Sequence, residues 1–194
     1  RAGAVGNNEN FGQATVQVAL SSAAPASGQF VMGSSGNTLA VFRFTETSNI
    51  EQVKITDLNV FDQVATTSSV KAAFSNVTLY KSTDLSTPLG TGGSANTAAS
   101  SSNPGSGYYY KFHFASPVVV PQAGSIELVL KGDVSSYSSS GATDDTTHVF
   151  KIATSTDSDN DTLSETVIAL GNTSNATSAI SVATGSNAPS ANAQ

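Results

Sequence analysis

Cysteine and tryptophan are both missing, methionine occurs once, and only eight of the 194 residues are Lys or Arg. Without cysteine there is no disulfide framework, no thiolate metal site and no cysteine nucleophile. Without tryptophan the ring best suited to stacking on sugars is gone. Fourteen acids against eight bases give a formal net charge of −6 and a pI near 4.6, so a nucleic-acid phosphate backbone is repelled rather than recruited. Nowhere do about 18 apolar residues run together, which excludes a membrane-spanning helix. The chain opens at Arg1 without a basic and apolar leader, and is read as a processed mature chain or a piece of a longer one.

Small polar residues fill the space left by these absences: 53 Ser or Thr, 25 Ala, 16 Gly and 14 Asn. Leu, Ile, Val and Phe together number 43, about 22% of the chain, just above the level of roughly 20% below which disorder sets in. The core is therefore expected to be small and to lean on aromatic rings. The length suits one domain that folds without covalent staples. High Ser, Thr, Asn and Gly with scarce Lys and no Cys points to an exported, extracellular or cell-surface protein.

Apolar residues recur with period 2, and no window keeps a 3.6-residue period, so strands are predicted and helix is not. The predicted inward stripes are Val16, Val18 and Leu20; Ala40, Phe42 and Phe44; Val53 and Ile55 followed by Leu58 and Val60; and Val77 and Leu79. They continue with Tyr108, Tyr110, Phe112 and Phe114; Ile126, Leu128 and Leu130; His148, Phe150 and Ile152; Thr166, Ile168 and Leu170; and Ile180 with Val182. The change of parity around Thr56 and Asp57 predicts a β-bulge. Eight or nine short strands parted by Gly, Pro, Ser and Asn clusters fit an all-β, antiparallel Ig-like sandwich. The predicted organisation is an extended N-terminal arm over 1–13, the sandwich over 14–184, and a flexible tail over 185–194. Loops are predicted at 24–28, 34–37, 90–107 and 135–145, with 92–107 the longest excursion.

Several segments form a familiar set: VALSSAAPASG from Val18 to Gly28, LAVFRFT from Leu39 to Thr45, VKITDL from Val53 to Leu58, VTLY from Val77 to Tyr80, and GSIELVLKGDV from Gly124 to Val134. In order and spacing this set resembles the Ig-like repeats of large exported surface proteins of candidate phyla radiation bacteria, over roughly Ala14 to Asn172. The resemblance implies a structural part of a surface layer, fibre or adhesin, and supplies no catalytic residues. This chain departs from the pattern in holding a single copy.

The sharpest chemical signal is Asp157, Asp159 and Asp161, with Glu165 following. Carboxylates at alternate positions let a tight loop wrap oxygens around a hard cation, so calcium is the candidate cofactor. An EF-hand is excluded, because Thr162 stands where the turn requires Gly and Ile168 where the closing Glu belongs. The competing reading is a solvated hairpin whose Asp and Asn side chains cap turns. Asp144 and Asp145 are possible further ligands for the calcium reading.

His113 and His148 have no Cys or third His nearby for zinc, and no Gly-x-Ser-x-Gly elbow accompanies them, so enzymatic activity is not expected. Of the three consecutive tyrosines, Tyr109 is predicted to face outward as a weak ligand-binding ring. Sequons at Asn76, Asn160, Asn172 and Asn175 are candidate glycan sites. The expected function is a non-enzymatic structural module that joins copies of itself head to tail, by strand addition from a terminal segment. Val5, Phe11, Val16 and Val18 are the candidate self-assembly residues at one end, and Ile180 and Val182 at the other. The alternative is a carbohydrate- or surface-ligand-binding adhesin module.

Overall fold

The computed structural model describes residues 12–64, 72–92, 96–97, 107–137, 142, 146–152, 167–182 and 190–193. Among them there is no helix, and the chain runs through twelve strands: β1 (Thr15–Leu20), β2 (Asn37–Glu46), β3 (Val53–Val64), β4 (Phe74–Lys81), β5 (Asp84–Thr91), β6 (Asn96–Thr97), β7 (Gly107–Val120), β8 (Ser125–Val134), β9 (His148–Lys151), β10 (Val167–Gly171), β11 (Ala179–Val182) and β12 (Ser190–Ala193). They form two sheets. The first has the order β11-β1-β2-β8-β4-β5, and the second β12-β9-β3-β7-β6. β10 pairs with the first half of β3, and β9 with its last four residues. Every pairing is antiparallel except that of β1 with β11.

Alternation explains why these residues form these strands. Val16 and Val18, Phe42 and Phe44, Leu79, and Leu128 and Leu130 project inward from the first sheet, and all are fully buried. Val53, Ile55, Leu58, Val60, Phe112 and Phe150 meet them from the second sheet. Full burial of each large apolar side chain is worth about 1.5–3 kcal/mol. The predicted bulge is present: the β3–β7 register breaks between Ile55 and Asp57, and the stripe changes parity there while staying buried.

Four expectations are corrected. The Ile168 and Leu170 stripe has the opposite phase: Ala169 and Gly171 are buried, Ile168 and Leu170 are only half-buried, and Thr166 lies outside the described residues. Both phases of this segment are apolar, so alternation alone was ambiguous; a second bulge, between Ile168 and Ala169, accompanies the observed phase. Three strands, β5, β6 and β12, were not foreseen: β5 is exposed through most of its length and carries no apolar alternation, and β6 and β12 are only two and four residues long. β6 falls within the predicted 92–107 loop and β12 within the predicted flexible tail. Phe30 and Met32, left unassigned by the pattern, pack against the core, with Phe30 edge-on to Phe74 at 6.0 Å.

The fourth correction is Tyr109. It lies on the opposite face of β7 from Tyr108 and Tyr110, as predicted, yet only 1% of it is exposed. Its ring packs on Phe61 of β3 at 4.9 Å. Gly107 makes room for this pair, since a Cβ there would stand 2.1 Å from the Asp62 carbonyl oxygen and 2.7 Å from the Phe61 ring. Tyr109 is a packing residue and offers no exposed face to a ligand.

Candidate functional site

Among the described residues, titratable chemistry gathers on β3. Asp57 stands at the bulge, and Asp62 lies five residues on among the inward side chains. Each meets a histidine from a neighbouring strand. His113 on β7 is directly opposite Asp57, with Nδ1 2.7 Å from Oδ1, and its side chain is 76% exposed. Solvent screens this pair, which is worth at most about 1 kcal/mol.

Asp62 is different. It faces Tyr108 across the β3–β7 ladder and is 1% exposed. His148 enters from β9 and places Nδ1 3.1 and 2.9 Å from the two carboxylate oxygens. Phe74 closes edge-on over the imidazole at 4.8 Å and packs on Phe150 at 5.2 Å. Burial pushes the Asp62 carboxyl above its ordinary range, while the hydrogen bond and charge of His148 pull it back. Burial, with the charge of Asp62 second, likewise pushes the Tyr110 hydroxyl up. The pair has the orienter-and-base geometry of a hydrolytic relay. Both members sit inside the sandwich, however, so the arrangement is a polar element of the core rather than a cleft open to substrate.

Three carboxylates staple the ends of the sandwich. Glu46, at the end of β2, accepts from the backbone amides of Ser48 at 2.9 Å, Asn49 at 3.0 Å and Ala123 at 2.8 Å, and from the Ser48 hydroxyl. Asn49 and Ala123 hold left-handed φ values of 55° and 51°, so one side chain fixes two unusual turns. Glu51 accepts from the amides of Thr173 and Ser174 and the Ser174 hydroxyl, tying the approach to β3 to the β10–β11 turn. Asp133 accepts from the Gly36 amide and the Asn76 side chain, both at 2.7 Å.

Burial raises the pKa of Glu46, but the hydrogen bonds outweigh it and leave the group below its ordinary value of 4.5. A depressed carboxyl stabilises the fold above its unfolded pKa, and that contribution is lost as the pH falls through the folded value. Glu46→Ala is expected to cost about 2–3 kcal/mol at neutral pH. It should also flatten the loss of stability below about pH 4.5, as followed by denaturant unfolding across pH. An unchanged midpoint would show that the turns hold themselves.

The predicted site residues fall into two groups. Asp157, Asp159, Asp161, Asp144, Asp145, Asn160, Val5 and Phe11 lie outside the described residues. The others are placed. Val16 and Val18 are fully buried in β1 between β2 and β11, on the inward stripe expected of them. Ile180 packs partly on the core from β11, and Val182 ends that strand opposite Val18. Asn76, Asn172 and Asn175 are exposed; Asn76 donates to Asp133, and Asn175 accepts from the Lys54 ammonium. The histidine partners were missed because Asp57 and Asp62 lie 56 and 86 residues from them, beyond any local motif.

Compared with known proteins, the chain matches no family model, no curated protein and no solved structure. What the fold defines is a class: an all-β protein of two packed, largely antiparallel sheets.

Proposed function

We propose that this chain is a non-enzymatic structural module of an exported bacterial surface protein, joining copies head to tail into an extracellular filament or layer. One observation carries the reading: β11 and β12, successive in the chain, close opposite sheets. Among the described residues β11 lies at the edge of the first sheet, and β12 at the edge of the second, where its four residues pair with β9 and no other strand. Edge strands present unpaired backbone groups, and a short strand held by a single neighbour is the easiest element to exchange with another copy. Residues 183–189 join the two strands and reach up to roughly 25 Å when extended. Passed from copy to copy without closing a ring, the contact propagates. The adhesin alternative loses its ring platform with the burial of Tyr109.

Removing residues 186–194, which deletes β12 and leaves β11, is expected to convert filaments into folded monomers in negative stain and sedimentation. Filaments from the truncated chain like those of the parent would overturn the handover. A full chain that stays dispersed as 19.6 kDa particles would overturn the structural-module reading itself.

A further inference from the structure

β1 and β12 point away from each other along the strand axis. β1 begins beside Glu46, the last residue of β2, and Glu46 also bonds Asn49 and Ala123, so Gln13 and Thr15 lie at the pole formed by the β2–β3 and β7–β8 turns. β3 starts at this near pole, where Val53 faces Val120, and ends at Val64 beside His148 of β9. β12 runs antiparallel to β9 and reaches His148 with Ala193, so it leads to the far pole. Tension between the two ends of the chain is thus directed along the strands.

β1 and β11 form the one parallel pair among the described residues, with Thr15, Val16, Gln17 and Val18 facing Ala179, Ile180, Ser181 and Val182. A pull on the start of β1 toward the near pole, against a pull on the end of β11 toward the far pole, slides the two strands past each other. Sliding loads all the bonds of the ladder together, whereas peeling from one end breaks them one after another. The start of β1 is tied on both sides. Toward β11, the Gln13 side-chain amide donates to the Thr177 carbonyl at 2.7 Å and the Ala179 amide to the Ala14 carbonyl at 2.8 Å. Toward β2, the Thr47 amide donates to the Thr15 carbonyl at 2.9 Å and the Thr15 amide to the Ser48 hydroxyl at 3.1 Å. The core resists sliding as well, because a slip of one residue would turn the fully buried Val16 and Val18 to the outer face. β12 has only four residues on β9, so under load it yields first and passes the tension to β11.

We infer that β1 and β11 form a shear clamp that makes this domain a tension-bearing module, with β12 as a short extensible segment in series with it. The inference goes beyond the assembly reading above and rests on it only for the source of the load.

The test pulls single molecules of the full chain by handles at its two termini. A short lengthening, at most about 40 Å as residues 183–193 are drawn out, should precede one main unfolding event. The chain has no cysteine, so Thr173→Cys in the exposed β10–β11 turn supplies a unique second attachment at the near pole. Pulled between the N-terminus and that point, β1 and β11 peel apart from their starts, and the main event should come at a several-fold lower force. Ala179→Pro removes the donor to Ala14 and should raise the unfolding rate under constant end-to-end load by roughly tenfold, equivalent to about 1.4 kcal/mol, while changing the peeling geometry little. Gln13→Ala leaves both backbones intact and should act in the same direction by a smaller factor. Removing residues 186–194 should abolish the short lengthening and spare the main event.

Equal forces in the two geometries, a main event untouched by both Ala179→Pro and Gln13→Ala, or a main event lost with residues 186–194 would overturn the clamp. Chains that polymerise but fail in this way leave the structural module standing. Chains that pass but stay dispersed in sedimentation keep the clamp and remove the assembly reading.

Discussion

Phe112→Ala is expected to remove about 3–5 kcal/mol of folding stability, a drop of roughly 6–20 °C in Tm for a chain of this size. Phe112 is 1% exposed in the middle of β7, opposite Leu58 on β3. Its ring reaches the first sheet as well, where a Cβ at Gly92 would stand 2.7 Å away. Gly92 is itself held by its amide on the Val77 carbonyl at 2.8 Å. One side chain thus fills space between the second sheet and the end of β5. Thermal and denaturant unfolding measure the effect. A variant that melts with the parent would mean that the inward stripe of β7 is on the other face.

His148→Ala is expected to cost a similar amount at neutral pH, about 3–5 kcal/mol, because it strands the Asp62 carboxylate in the core without its partner. The pH dependence separates this from simple loss of packing. Asp62 already has a raised pKa from burial, and without His148 nothing pulls it back. A group whose folded pKa lies above its unfolded value destabilises the fold while ionised and ceases to do so as the pH falls through the folded value. The variant should therefore gain stability on acidification from neutrality, in the range where Glu46, Glu51 and Asp133, all depressed, hold theirs. Adding Asp62→Asn should recover much of the loss at neutral pH and abolish the acid gain. Stability that is flat with pH in the single variant would show that the Asp62 charge is not what destabilises it.

The strands were legible wherever one face of the chain is buried and the other wet. That condition holds for β1 and for the Lys111–Phe114 part of β7, whose stripes the alternation marked residue by residue, and at Thr56–Asp57, where a parity change could only mean an extra residue in the ladder; in β2 and β8 the inward stripe was marked although Val41 and Val129 on the other face are buried as well. It fails for β10, where Val167, Ile168, Ala169 and Leu170 are all apolar and either phase reads as core. It fails again for β5, which is exposed through most of its length, so its pairing with β4 rests on backbone bonds that any sequence can make.

The sequence by itself determined the class of fold and most of the core, because period 2 ties side-chain polarity directly to burial. It also ruled out disulfides, thiolate metal sites and a membrane-spanning helix, since each needs residues that are absent. Only the tertiary structure decided which residues meet across long separations: Asp62 with His148, Glu51 with Ser174, and Glu46 with Ala123. Strand order sets those meetings, and strand order is chosen by the packing of whole sheets. The fate of Tyr109 was decided in the same way. Its outward direction follows from alternation, but its burial depends on Phe61 arriving opposite it from the pairing of β3 with β7, with Gly107 on β7 leaving room for the Phe61 ring.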